Sequence, residues 1–141
     1  MLIDCVPYLE HALNARGMST TKVRSIFLTH IHDDHCNIFP LLRLSNKVRL
    51  IATKEIFWMA MTKLSLQTLM PAKDLAAMFH FVEVRTYEKT DFFGLSIEPH
   101  YTVHSIPTIG ATFRMNDGNT SRSIVFIGDN KSFEDIEKMV T

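Results

Sequence analysis

Apolar positions follow one rhythm in the first half of the chain and another in the second. Early on, short apolar runs alternate with stretches of helical spacing. Leu2-Ile3-Asp4-Cys5 is a strand-like run ended by a polar residue, and Pro7 then opens a helix through Leu9, Ala12 and Leu13 that stops at Gly17. Residues 20–22 lead into a strand over residues 26–28, after which Ile38, Leu41, Leu42 and Leu44 have the spacing of an amphipathic helix. Val48, Leu50 and Ile51 predict another strand. Residues 53–69 predict a longer helix capped by Thr53; Pro71 interrupts it, and residues 74–79 resume as a shorter one. Phe57, Trp58, Met59, Met61 and Met70 recur at helical spacing, which favours core filling over a substrate pocket.

The second half turns strand-like. Residues 81–87, 95–98 and 101–104 read as strands, and residues 111–115 and 123–127 flank Asn116-Asp117-Gly118-Asn119, a strong hairpin signal. Gly128-Asp129 ends the last strand, and Ser132 with Asp135 forms a capping box for a final helix over residues 133–140. Strands in both halves with helices between them predict an α/β sandwich.

Composition narrows the setting. The 141 residues, 46% of them apolar or aromatic, suit one domain with its own core. Fifteen basic side chains balance fifteen acidic ones, so charge gives no indication of nucleic acid as a partner, and any such contact would need a local patch. Arg43, Lys47 and Arg49 form only a modest cluster, read as a solvated helix end. No apolar run approaches the roughly 20 residues of a membrane span. The first residues lack the charged and apolar regions of a signal peptide. Cys5 and Cys36 have no metal-type spacing, and the expected location is a reducing cytoplasm.

The chemistry is concentrated in residues 29–36, Thr-His-Ile-His-Asp-Asp-His-Cys. His30 and His32 leave a strand end on the same side, while Asp34 and His35 follow where a loop can turn them toward a second ion. Imidazole and carboxylate are the usual ligands of zinc and similar divalent ions, and a catalytic site keeps one position open. Distant ligands of the right type are His104 and Asp129. His100 competes with His104, but His104 opens His-Ser-Ile-Pro-Thr-Ile-Gly, a Pro-x-x-Gly context that favours it. His11 and His80 read as ordinary partly buried histidines.

The pattern H-x-H-x-D-H over residues 30–35 resembles the signature of the metallo-β-lactamase superfamily. His104 with its Pro and Gly resembles that superfamily's third metal motif, and Ile-Val-Phe-Ile-Gly-Asp resembles the next. The resemblance implies an αββα sandwich with one or two metal ions, Zn2+ first and Mn2+ or iron as alternatives. It implies that His30, His32 and His104 hold the first ion, that Asp34 and His35 hold the second, and that Asp129 lies between them. Asp4 matches an Asp the family often has at a strand end, expected to orient a ligand histidine, and the position of Cys36 is not a ligand in the family pattern.

Members normally begin with further strands and end with a last His, whereas no His follows His104 here. The chain is therefore expected to be a partial domain, truncated at both ends, whose exposed strand edges would pair with a second copy or another partner. The implied chemistry is hydrolysis by a metal-activated water with Asp34 accepting its proton. The His-x-x-Pro-x-x-Gly form tilts the substrate toward a phosphodiester, and a thioester or lactone is the alternative among small-molecule substrates. A metal-binding regulatory domain without turnover is the rival from another class. A redox di-iron centre would usually show Glu in place of an early histidine, and His32 argues against it.

Overall fold

A computed structural model describes residues 1–132, 134 and 137. It contains two compact units, Met1–Glu83 and Val84–Thr141, each built on its own sheet. The first sheet is parallel, in the order β1 (Leu2–Ile3), β2 (Ser25–Phe27), β3 (Arg49–Ala52), β4 (His80–Glu83). Parallel neighbours require crossovers. Helix α1 (Leu9–Asn14) and a 3-10 turn at Thr20–Lys22 connect β1 to β2, and a second 3-10 turn at Phe39–Arg43 connects β2 to β3. Helices α2 (Lys54–Thr68) and α3 (Ala72–Ala76) lead to β4. Ile26 pairs with Leu2 on one side and Leu50 on the other, and Ile26, Phe27, Leu50, Ile51 and Ala52 are buried as expected of central parallel strands.

Helix α2 forms as its sequence predicts. The Thr53 side chain accepts from the Ile56 N–H at 3.3 Å, and Leu69, at φ 59°, closes the far end with its N–H on the Ser65 carbonyl. Ile56, Phe57, Ala60, Met61 and Leu64 form the buried face, and the Phe57 ring stacks on Phe81 at 4.1 Å. Trp58 and Met70, grouped with them by spacing, are exposed instead.

The second unit is an antiparallel meander of β5 (Thr90–Phe92), β6 (Leu95–Tyr101), β7 (Ile109–Asn116) and β8 (Ser121–Phe126). Its strands bury Ile97, Ile109, Ala111 and Phe113. The hairpin expected at residues 116–119 joins β7 to β8, with Asn116 paired to Ser121 and the Asp117 carboxylate accepting from both the N–H and the hydroxyl of Thr120.

Three elements differ from expectation. The amphipathic spacing around Leu41 forms a 3-10 turn, because Pro40 near its start supplies no N–H and i, i+3 contacts suit either helix type. The two runs expected at residues 95–98 and 101–104 are one strand that runs through Pro99 and ends at Tyr101; the proline is tolerated because β5 pairs only as far as Ile97, and on that flank Pro99 needs only to accept, its carbonyl taking the Tyr87 N–H at 2.7 Å. Strand β5 itself was not expected; it meets β6 through Phe93-Gly94, both at positive φ, with Phe92 opposite Leu95. The helix expected over residues 133–140, with Asp135 in its capping box, lies outside the described residues apart from 134 and 137. No helix among the described residues is long and apolar enough to cross a membrane.

Candidate metal centre

The imidazoles of the H-x-H-x-D-H segment gather where β2 ends. His30 is fully buried, and its ring centroid lies 4.8 Å from that of His32 and 4.2 Å from that of His35. Beneath them sits Asp4, held in the left-handed region at φ 60° just past β1. Its Oδ1 accepts the Thr29 N–H at 2.7 Å, and its Oδ2 accepts the Thr29 hydroxyl at 2.8 Å and lies 2.7 Å from His35 Nδ1.

These bonds set the tautomers. An ionised carboxylate only accepts, so His35 must carry its proton on Nδ1. The single hydroxyl proton of Thr29 goes to Asp4, so the 2.9 Å contact between Thr29 Oγ1 and His30 Nδ1 requires the histidine to donate. With Nδ1 so engaged, the neutral form of each ring has its lone pair on Nε2, the state a metal ligand needs. Asp4, His30 and His35 form one group whose candidate ligand atoms lie within 4.8 Å of one another. Both Asp4 oxygens are already engaged, which suits an orienting carboxylate. Burial pushes its carboxyl above the ordinary range, against the lowering effect of the Thr29 and His35 hydrogen bonds.

Asp34 is largely exposed, with Oδ2 3.5 Å from His35 Nε2. Asp33 turns away to Lys63 of α2, whose Nζ lies 2.6 Å from Asp33 Oδ1; that bond holds the Asp33 carboxyl below its usual range. The same ammonium donates to the carbonyls of Ile31 at 2.8 Å and Cys36 at 3.3 Å. Cys5 and Cys36 face each other as an isolated parallel bridge, and the Cys5 thiol donates to the Asn37 carbonyl. Both thiols are buried; burial chiefly pushes Cys5 up to about 12 and Cys36 up to about 11. Cys36 is thus a small packed side chain.

In the second unit His104 follows β6 in a loop tied down by Lys131 N–H on the Val103 carbonyl and Val103 N–H on Asn130 Oδ1. His104 Nε2 lies 3.8 Å from Asp129 Oδ2, next to Gly128 at φ 61°. His100 points elsewhere. It pairs across the ladder with Gly110 and its ring packs against that residue, where burial lowers its pKa.

The first unit therefore brings His30, His32, Asp34 and His35 to one strand end, and the second brings His104 to Asp129. Thr29 and Lys63 were not singled out from the sequence. Thr29 carried a weak signal in its position against the first histidine, whereas Lys63 looked like any solvated helix lysine.

The fold and these residues define a class. A solved structure, the metallo-β-lactamase fold protein YhfI from Bacillus subtilis, matches with a TM-score of 0.61 at 16% identity, covering 90% of this chain and 49% of that one. The chain has the metallo-β-lactamase fold. It belongs to the family described as anti-Pycsar protein Apyc1, whose model matches residues 1–140. Among curated proteins it is similar to cGMP-dependent 3',5'-cGMP phosphodiesterase A of Dictyostelium discoideum, 30% identical over 118 residues that make up 83% of this chain and 13% of the relative. It is also 38% identical over 40 residues to ribonuclease Z of Salinibacter ruber (strain DSM 13855 / M31), spanning 28% of this chain and 12% of that protein. The chain thus spans a small part of these curated relatives and about half of the solved structure.

Proposed function

We propose that the chain carries the ligands of a metal-dependent phosphodiesterase site. His30, His32 and His104 would hold a first ion and Asp34 and His35 a second, with Asp129 as a further ligand. The observation that carries metal binding is the chain of hydrogen bonds from Asp4, which engages Nδ1 of both His30 and His35 and makes Nε2 the ligand atom of each neutral ring. Imidazole and carboxylate donors favour zinc, with manganese or iron as alternatives. A divalent ion bound there supplies Lewis acidity and an acidified water at neutral pH. Around it, Asp34 is an exposed carboxylate able to accept a proton beside His35, while Asp4 and Thr29 keep the imidazoles aimed. A phosphodiester substrate, specifically a 3',5'-cyclic nucleotide, is favoured by the likeness to the cGMP phosphodiesterase over most of this chain.

The test is turnover by the zinc- or manganese-loaded chain on bis(p-nitrophenyl) phosphate, 3',5'-cGMP and a thioester. Hydrolysis of the two phosphodiesters, lost in the His30→Ala/His32→Ala variant, is expected. Cleavage of the thioester alone would move the site to that branch. Stoichiometric metal without turnover on any of the three would make it a binding domain.

A further inference from the structure

Lys63 departs from the usual behaviour of a helix lysine. It projects from α2, keeps 19% of its side-chain surface exposed, and spends its donors on Asp33 Oδ1 at 2.6 Å and on the carbonyls of Ile31 at 2.8 Å and Cys36 at 3.3 Å. An ammonium group has three protons and no acceptor, so three acceptors from one segment saturate it. Ile31 and Cys36 bracket the stretch that holds His32, Asp34 and His35. One cation therefore grips both ends of that stretch and, through Asp33, its middle.

The backbone there has few other anchors. His35 and Cys36 N–H groups both return to the His32 carbonyl, a single turn, and the tie to β1 comes through the N–H groups of Cys5 and Asn37 on the carbonyls of His35 and Cys5. These bonds form the turn from His32 to Cys36 and fix where it leaves, but they do not tie it to α2. The Lys63 contacts supply that tie across the whole turn. Asp33 cancels the lysine's charge, so the clamp adds no net repulsion toward a cation nearby.

We propose that Lys63 is a positioning residue of the metal site, holding the segment from Ile31 to Cys36 in the conformation that presents His32, Asp34 and His35. This rests on the reading that those residues ligate metal. Outer contacts of this kind alter metal affinity by roughly 10–100-fold when removed.

The experiment uses the full chain and four variants: Lys63→Met, Lys63→Gln, Lys63→Arg and His30→Ala/His32→Ala. Zinc affinity is measured by competition with a chromophoric chelator, the ligand field from the visible spectrum of the cobalt(II)-loaded protein, and the metal-free fold from its thermal midpoint. Lys63→Met is expected to weaken zinc binding roughly 10–100-fold and change the cobalt spectrum while the metal-free midpoint stays close to wild type. Lys63→Arg, whose planar fork can still reach paired carbonyls, is expected to recover most of both. Should Lys63→Met fail to fold, Lys63→Gln is read by the same two criteria. Wild-type affinity and an unchanged cobalt spectrum in the Lys63 variant, with metal lost in the double histidine variant, would overturn the role of Lys63 alone. Stoichiometric metal retained by the double histidine variant would overturn the underlying site.

Discussion

Asp4 and His35 stand 31 positions apart and meet with Oδ2 and Nδ1 separated by 2.7 Å. The carboxylate reaches a second imidazole through Thr29, so one buried group aims both His30 and His35. Asp4→Asn keeps the volume but removes one acceptor and the charge. Zinc affinity should fall roughly 10–100-fold by chelator competition, while the metal-free thermal midpoint changes little, because the buried carboxylate carried a desolvation cost. Unchanged affinity would show that the imidazoles hold their tautomers without Asp4.

Asp129 lies after β8 rather than within it, and its carboxylate is 3.8 Å from His104 Nε2. Asp129→Asn should therefore leave the metal-free midpoint near wild type and weaken metal binding by on the order of 10–100-fold or more. Loss of the metal-free fold with affinity intact would make it a structural carboxylate.

The buried thiols give the metal-free protein an alkaline limit. A thiol whose folded pKa is raised binds its proton more tightly folded than unfolded. Its contribution is whole below the ordinary value of 9.0 and is lost as pH climbs toward about 11 for Cys36 and about 12 for Cys5. Urea unfolding of the metal-free chain at pH 8, 9 and 10 should show stability falling over that range, with a shallower fall in Cys5→Ala. Iodoacetamide should label neither thiol quickly in the native chain and both promptly in urea. Rapid native labelling would contradict their burial.

Gly110 is required by close approach. A Cβ there would collide with the Phe126 carbonyl oxygen and lie 2.7 Å from His100 Nε2. Gly110→Ala should destabilise the protein by about 1–3 kcal/mol in denaturant titration, the usual cost of overpacking. A neutral result would mean that β8 can shift away from β7 at little cost.

What was legible in the chain was whatever local chemistry decides. Thr53 capped its helix, Gly17 followed the first one at φ 68°, and residues 116–119 turned the hairpin, because each needs only its own neighbours. The H-x-H-x-D-H segment was legible for the same reason: its imidazoles are close in sequence. Non-local packing was not. Nothing in the local pattern said that Phe93, a bulky residue, would accept positive φ beside Gly94, or that the flank of Pro99 would lie beyond the end of β5. Lys63 escaped notice because its three partners come from a segment about thirty residues away. The placement of Trp58 was misjudged because spacing alone does not say how wide the buried face of α2 is.

Strand β1, only two residues long, lies at one edge of the first sheet among the described residues, and Asp4 hangs from its end. Short edge strands open at lower free energy than the strands inside them. Brief detachment of this edge would carry the aiming carboxylate away while His30 and His32 stay with β2. A ligand that binds only the closed state must suppress that opening by mass action. Amide exchange at Asp4 and Cys5, whose N–H groups rest on the carbonyls of Phe27 and His35, is therefore where occupancy of the site should first be felt as a change in motion.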